Sequence, residues 1–460
     1  MDMKKINILL FALAGLLICS CNDMLDIKPD DVKDENDAFQ GPKDVQSSLN
    51  SAYQANLGAF GGVFQRYSEL MGDNAEPIPV TDKRHNIYNR TTPGYFTADD
   101  FYSKAYIVIF RANLTLEKLS LVDLPEKDVK RITAECKFLR ALCNFYLVRM
   151  FAQPYGYTRD NSHYGIGLKT STQIGMVPRA TVADVYKAIE EDLKDIGSLP
   201  SAAGEMDVAY ASSWAVKSLL AEVAFAKGDY DKAFEYANDV IENGPFSFDT
   251  TPNDKWVLGG STETIFNLVS NEGAYNAGGD FGDFRSEAGK NPNIRISRSL
   301  YNKANTPNDS RKQWYKISDA GMATEYVAFT RFNYDWMDVP LFHLTEMMLV
   351  RAESAVLMKN RDLATAIGDV NRIKTRAYGS DRFNLDPQAN ADAVLSAVRE
   401  EKRLEMAGEG FRVYDLKRIG ANEAPQTEIR GVPWNYVGLA LQFPLSEHSD
   451  KFPLNPEAGM

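Results

Sequence analysis

The stretch at 212–248, SSWAVKSLLAEVAFAKGDYDKAFEYANDVIENGPFSF, constrains the fold more than any other part of the sequence. Apolar and small residues recur with helical spacing on both sides of Gly228-Asp229. Glycine supplies the tight turn between the two stretches, and Pro245 ends the second one because proline cannot continue a helix. The sequence therefore predicts two antiparallel helices joined by a short turn.

Key residues of this hairpin follow the spacing of a tetratricopeptide repeat: Leu220, Ala221, Gly228, Ala233 and Pro245. A second, looser unit is predicted at 343–377, a third from 130–152 with 181–200, and a helix at 99–119 could begin a fourth. One such unit cannot bury its apolar face alone, so several must stack. We therefore expect a mainly all-α fold, a tetratricopeptide-repeat helical scaffold with long irregular loop insertions.

One helix of this scaffold is predicted from an apolar stripe with steps of four and three residues: Ile132, Cys136, Leu139, Cys143, Tyr146 and Met150. Its two cysteines are seven residues apart, which is two turns or roughly 10.5 Å of helical rise. A disulfide needs Cα atoms within about 7 Å, so Cys136 and Cys143 should not bridge each other. We expect both to be small buried side chains.

Long insertions without a clear period separate the predicted helices, at 54–98, 153–180, 249–340 and 419–460. Loops longer than about 15 residues are uncommon in compact domains unless they are functional. We therefore expect the binding residues on these insertions.

The first 20 residues have the layout of a secretory signal, with Lys4 and Lys5 before a run of about twelve apolar residues. That run is shorter than the roughly 20 residues that a membrane-spanning helix needs. The order Ile18-Cys19-Ser20-Cys21 resembles a bacterial lipobox, in which the chain is cut before a cysteine that then receives lipid. The interpretation is a lipoprotein signal at 1–20, lipidation of Cys21, an acidic tether at 21–44 and a binding domain at 45–460. The alternative is an ordinary cleavable signal.

The net charge of −12 and the absence of a basic run make nucleic acid a poor partner. The four histidines, His85, His163, His343 and His448, are scattered without the spacing of metal ligands. We predict neither a metal site nor a cofactor.

Several segments together resemble the SusD/RagB family of bacterial outer-membrane nutrient-binding lipoproteins: CNDMLDIKPD at 21–30, AECKFLRALCNFYLVRMFAQPYG at 134–156, the hairpin segment above, and VPLFHLTEMMLVRAESAV at 339–356. The strongest is EKRLEMAGEGFRVYDLKRIG at 401–420. It matches the family's late motif at Glu401, Arg403, Glu405, Glu409, Gly410, Arg412, Asp415, Leu416 and Arg418, and departs from it at Lys402.

The resemblance implies a non-catalytic lipoprotein, anchored through Cys21 on the outer face of the outer membrane. It would bind oligosaccharides and deliver them to a SusC-like TonB-dependent transporter. Some relatives, which are RagB-like, deliver peptides instead. A surface glycosidase or peptidase is the alternative from a different class.

The charged motif at 401–418 admits two interpretations. Glu401 and Glu405 are one helical turn apart, and paired carboxylates can catalyse glycoside hydrolysis. Alternatively, Arg412, Asp415 and Arg418 interlock with them in a structural network of ion pairs. We favour the network, because the family match makes this motif a signature of the fold.

Sugars present C–H faces that lie flat on aromatic rings, and their hydroxyls meet planar side chains such as Asn and Arg. By analogy with relatives, the site is expected in RHNIYNRTTPGYF at 84–96 and in the insertion at 271–298. The candidate ligand-binding residues are Arg84, Tyr88, Asn89, Arg90, Tyr275, Phe281, Phe284 and Trp314. For each of them the alternative is simple packing in the core.

Overall fold

A computed structural model describes the chain at 38–79, 82–91, 99–202, 204–269, 281–286, 291–334 and 336–458. The predicted signal at 1–20, Cys21 and Tyr275 lie outside the described residues. Most of the predicted tether also lies outside them, and its last three residues form the start of the first helix.

Helices make up most of the described chain, as the periodicity predicts. In chain order they are α1 (Pro42–Phe60), α2 (Val63–Met71), α3 (Lys83–Asn89), α4 (Asp99–Lys118), α5 (Glu126–Phe151), α6 (Val182–Asp192), α7 (Ser213–Lys227), α8 (Tyr230–Asn243), α9 (Arg298–Ala304), α10 (Leu344–Leu357), α11 (Leu363–Tyr378), α12 (Ala391–Glu405) and α13 (Arg412–Asn422).

The predicted hairpin is confirmed as α7 and α8. The Ser212 hydroxyl caps α7 by accepting the Ala215 backbone N–H at 3.1 Å. Gly228 ends the helix with a φ of +75°, a left-handed conformation that glycine adopts without steric cost. α8 ends at Asn243, two residues before Pro245.

The second predicted unit is confirmed as α10 and α11, and Arg351 ties it to the first. Its guanidinium donates two hydrogen bonds to Asp369 of α11, at 2.8 and 2.7 Å. It also donates to Glu242 of α8 at 2.7 Å. The two hairpins therefore stack with α8 against α10, as a repeat array requires.

The predicted stripe lies on α5, between α4 and α6, and all six of its residues are buried. Cys136 and Cys143 are both buried and free, as expected from their spacing. A second apolar face of α5 is buried as well, so this helix is central to the core.

Short antiparallel strands are the main departure from the predicted irregular insertions. The strands are β1 (Ala75–Pro77), β2 (Tyr164–Gly167), β3 (Arg179–Thr181), β4 (Thr264–Leu268), β5 (Ile294–Ile296), β6 (Tyr315–Ser318), β7 (Tyr326–Phe329), β8 (Val339–His343), β9 (Glu428–Ile429) and β10 (Val432–Pro433). Four of them form a sheet in the order β1-β5-β7-β6, and β4-β8, β2-β3 and β9-β10 form pairs.

The insertion at 54–98 was expected to be irregular, and this is wrong for much of it, because it contains the end of α1 together with α2 and α3. Nearly every residue of α2 is buried, including Gln65, Ser68 and Glu69. With only nine residues, α2 is shorter than the window of about 11–18 residues over which a helical period of apolar residues is read. Strands of three to five residues likewise give too short an alternation to detect.

Among the described residues, no helix is both long and apolar enough to cross a membrane.

Candidate ligand-binding surface

The short helix α3 contains three of the residues predicted at 84–90, and Arg90 follows it directly. Asp82 caps the helix, since its Oδ1 accepts the backbone N–H groups of Arg84 at 2.8 Å and His85 at 3.3 Å. The helix ends at Arg90, whose φ of +60° is uncommon for a residue other than glycine. Both ends of the helix are therefore fixed, and its side chains project from a defined backbone.

Six charged side chains from separate parts of the chain meet beside α3: Arg66, Asp82, Lys83, Arg84, Asp100 and Asp283. We call this group the Asp283 cluster. Asp283 lies between two guanidinium groups, with its Oδ1 2.6 Å from Arg84 Nη1 and its Oδ2 3.3 Å from Arg66 Nη1. Asn293 donates to the same Oδ1 at 2.9 Å. The pairs fix both arginines in one orientation.

Asp100 closes the other side of the cluster. Its carboxylate accepts the Tyr67 hydroxyl at 2.8 Å, Arg66 Nη2 at 2.5 Å and Lys83 Nζ at 3.0 Å. Burial alone would raise the pKa of Asp100, but the Tyr67 hydrogen bond and the charges of Lys83 and Arg66 outweigh it and hold that pKa below its ordinary value. Asp100 is therefore ionised at neutral pH.

The cluster lies at the surface without being fully solvated. The exposed fraction of its side chains ranges from 13% for Asp283 to 43% for Lys83. Guanidinium and carboxylate groups are planar and have several donors or acceptors in fixed directions. An array of such groups, already held in place, can exchange hydrogen bonds with the hydroxyl groups of a saccharide.

Tyr88 and Arg90 of the predicted site differ in their surroundings. One face of the half-buried Tyr88 ring is covered by the Arg430 guanidinium, 3.8 Å from the ring centre. Arg90 is buried and donates to the Ile429 carbonyl at 2.6 Å. Burial and the nearby charge of Arg430 lower the pKa of Arg90 to about 10. Arg90 therefore fixes the β9–β10 turn, whereas Asn89 is exposed on α3.

The expectation that Phe281, Phe284 and Trp314 are accessible for ring stacking is corrected by the structure, which buries all three in the core. Phe281 and Phe284 pack against Phe332, with ring centres 4.5 and 6.0 Å away. Trp314 is covered by the Arg331 guanidinium at 4.2 Å. A short 3-10 helix, Phe281–Asp283, directs its first ring inward and leaves the aspartate at the surface. Sequence periodicity cannot reveal this in so short an element.

Sequence reasoning missed five members of the cluster, namely Arg66, Asp82, Lys83, Asp100 and Asp283. Asp82 had a local signal, because an aspartate just before a helix is a favoured cap. The others had none, since Arg66 and Asp283 are 217 positions apart in the chain.

The interpretation of the motif at 401–418 as an ion-pair network is confirmed. Glu401 and Glu405 are buried, and both accept from Arg311 Nη1, at 2.5 and 3.2 Å. Arg376 donates to Glu405 at 2.6 Å, which ties α11 to α12. The expectation that Arg412, Asp415 and Arg418 pair with these two glutamates is wrong. Arg412 pairs with Asp73, Asp415 with Lys402 and Arg418 with Glu353, so the motif forms ion pairs with several separate partners.

A second pair of carboxyl groups, Glu222 and Glu346, lines a cavity of about 40 Å³ with Arg149 and Lys417. Burial and the neighbouring Glu222 raise the pKa of Glu346 well above its ordinary value. At roughly 10–15 Å³ for each water, the cavity has room for about three waters and none for a sugar ring. In the described parts of the chain, no three His, Cys, Asp or Glu side chains are grouped so as to hold a metal ion.

The sequence matches two family models that together span most of the chain. Residues 23–225 match SusD-like_3, described as "Starch-binding associating with outer membrane", and 265–441 match SusD_RagB, described as the SusD family.

Comparison with known proteins agrees with these matches. SusD-like protein P2 of Formosa agariphila is 23% identical over an alignment of 474 positions, and the match covers 91% of this chain and 91% of that protein. The solved structure of a SusD superfamily protein from Bacteroides thetaiotaomicron has a TM-score of 0.77 and 23% identity, and the match covers 90% of this chain and 99% of that one. A laminarin-binding SusD-like protein has a TM-score of 0.70 and 21% identity, and the match covers 91% and 100%. The chain belongs to the SusD/RagB family.

Proposed function

We propose that this protein is a non-catalytic, lipid-anchored protein of the cell surface that binds oligosaccharides and delivers them to a SusC-like TonB-dependent transporter in the outer membrane. The observation that carries the binding role is the Asp283 cluster, a part-exposed array of planar polar groups beside α3. We place Arg84, Tyr88 and Asn89 among the ligand contacts.

Support for a saccharide as the ligand comes from the chemistry of this surface and from the family. The cluster offers guanidinium donors and carboxylate acceptors in fixed directions, which suits hydroxyl groups. The matched family model is described as starch-binding, and a laminarin-binding protein has the same fold.

The proposed location depends on the N-terminal segment. Cys21 follows a lipobox-like sequence, and the family model describes association with the outer membrane. More than one acyl chain gives stable anchoring, since each buried CH₂ contributes about 0.8 kcal/mol. The segment at 21–44 would then link the lipid to the domain at 45–460.

Titration calorimetry tests the binding role. Purified protein without its signal would be titrated with malto-, laminari-, xylo- and manno-hexaose and with peptides of six to ten residues. We expect heat of binding from at least one hexasaccharide and none from the peptides. The same mixtures, analysed by mass spectrometry after hours of incubation, should contain no cleavage products.

The alternatives give different results in the same experiment. Binding of peptides alone would assign the RagB-like peptide role, and turnover of a saccharide or peptide would assign an enzyme. Recovery of a barrel protein with the chain after purification in mild detergent would support the transporter partnership, and repeated recovery of the chain alone would contradict it.

A further inference from the structure

The cations of the Asp283 cluster are already matched by carboxylates. Arg66, Lys83 and Arg84 carry the positive charges. Each lies within 3.3 Å of an aspartate in the same group, which comprises Asp82, Asp100 and Asp283. Three cations and three anions leave the cluster without net charge.

Asp283 occupies the position that an anionic ligand would take. Its two oxygens face Arg84 and Arg66 from between them, in the way a ligand carboxylate or sulfate would be gripped by two guanidinium groups. The buried ring of Phe281 and the Asn293 hydrogen bond hold the aspartate there. A second anion would have to displace this carboxylate or lie beside it.

The other two arginines next to α3 also donate hydrogen bonds within the protein. Arg430 donates to the backbone carbonyls of Leu70, Gly72 and Tyr88, at 3.1, 2.7 and 2.6 Å. Arg90 donates to the carbonyl of Ile429. Both guanidinium groups hold the β9–β10 turn against its neighbours.

The chain as a whole has a net charge of −12, which disfavours the approach of anions.

We propose that Asp283 makes this surface selective for neutral oligosaccharides over anionic ones, such as those with uronic acids or sulfate groups, by occupying Arg66 and Arg84. The proposal depends on the saccharide-binding function above. Beyond that function, it specifies which class of saccharide binds and which residue determines the preference. A carboxylate that pairs with the cations of a binding site repels an anionic ligand. Binding sites often gain specificity from such unfavourable contacts with the wrong ligand.

The test uses three forms of one ligand. The first is the neutral hexasaccharide that binds tightest in the calorimetric panel. The second is its C6-carboxylate form, made by selective oxidation, and the third is the methyl ester of that form. The methyl ester contains the oxidised C6 group but has no negative charge. It therefore distinguishes the effect of the charge on affinity from the effect of the changed shape. We expect the carboxylate form to bind at least about tenfold more weakly than the neutral one, and the ester to regain most of the affinity.

Two variants identify the residue responsible. Asp283→Asn keeps the size of the side chain and removes the negative charge between Arg84 and Arg66, although their pairs with Asp82 and Asp100 remain. The cluster then has one excess positive charge, so the difference between neutral and carboxylate forms should shrink to about threefold or reverse. Asp82→Asn provides a second case if the first variant does not fold, because asparagine also caps helices. It frees part of Arg84, and the difference should shrink in the same direction.

The outcomes are distinct. Equal or tighter binding of the carboxylate form by the unmodified protein would overturn the selectivity and leave the saccharide-binding function in place. Unchanged discrimination in both folded variants would overturn the role of Asp283 and its cluster. Failure of every saccharide in the panel to bind would overturn the proposed function, and this inference with it.

Discussion

Two neighbouring side chains of the 3-10 helix Phe281–Asp283 have opposite roles. The Phe281 ring is fully buried against Trp256 and Phe332, whereas Asp283 pairs with arginines at the surface. Phe281→Ala should therefore cost about 3–5 kcal/mol of the free energy of unfolding. Thermal unfolding would show the loss. The dissociation constant of the folded fraction should change far less, and an unchanged melting temperature would contradict the core role of this ring.

Buried carboxylates predict how stability depends on pH. Cations nearby outweigh burial and lower the pKa of Glu263, Glu353 and Glu409 to about 2 in the folded chain. Their ordinary pKa is 4.5, so the unfolded chain binds protons first as the pH falls. The stabilisation is complete above pH about 4.5 and is lost as the pH falls toward 2. Calorimetric scans should show a melting temperature that drops across this window.

Glu409→Gln provides the control for this pH dependence. The variant should be less stable at neutral pH, because Arg331 loses a carboxylate at 2.8 Å. Its melting temperature should also fall less steeply below pH 4.5. A melting temperature that is constant between pH 4.5 and 2 in the unmodified protein would contradict this account.

At the scale of elements, the turn between α7 and α8 depends on one glycine. A Cβ on Gly228 would lie 2.8 Å from Asn422 Oδ1, and the φ of +75° is costly for other residues. Gly228→Ala should destabilise the protein by about 1–2 kcal/mol or more. Gly368 lies within α11 with no atom within 4 Å of an added Cβ, so Gly368→Ala should stabilise by about 0.5–1 kcal/mol. Opposite shifts in melting temperature are expected, and shifts of the same sign would contradict the assigned geometry.

The elements that sequence predicts well are the long helices. The stripe of α5 and the hairpins α7–α8 and α10–α11 have helical periods long enough to detect, and tertiary packing then agrees with them. The nine-residue α2 and the short strands are too short for such a period to be read. Sequence also cannot tell whether Phe281 faces inward, because a 3-10 helix of three residues shows no repeat.

At the scale of the whole molecule, sequence predicts the candidate site only in part. The analogy with relatives indicates the segment at 84–96, and α3 places Arg84 of that segment in the cluster. Asp100 and Asp283 reach it through the fold alone, since the chain passes through several helices between them. Contacts between distant positions of this kind leave no local pattern in one sequence.

The proposed lipid anchor also belongs to the scale of the whole molecule, because it would determine where the protein is located. If the proposal is right, Cys21→Ala abolishes labelling with a palmitate analogue, whereas Cys19→Ala labels normally because Cys19 would be removed with the signal. Equal labelling of the Cys21 variant would contradict the lipoprotein assignment.

The central claim is that saccharides bind at the Asp283 cluster. Its most direct test compares substitutions of two arginines, one inside the cluster and one outside it. Arg84 lies in the Asp283 cluster, and Arg361 is exposed in the turn between α10 and α11. Calorimetric titration with the tightest hexasaccharide, alongside thermal unfolding, would be performed on Arg84→Ala and Arg361→Ala. The account predicts at least about tenfold weaker binding for Arg84→Ala with little loss of melting temperature, and unchanged binding for Arg361→Ala. Equal affinities of the two variants would show that saccharides do not bind at the Asp283 cluster.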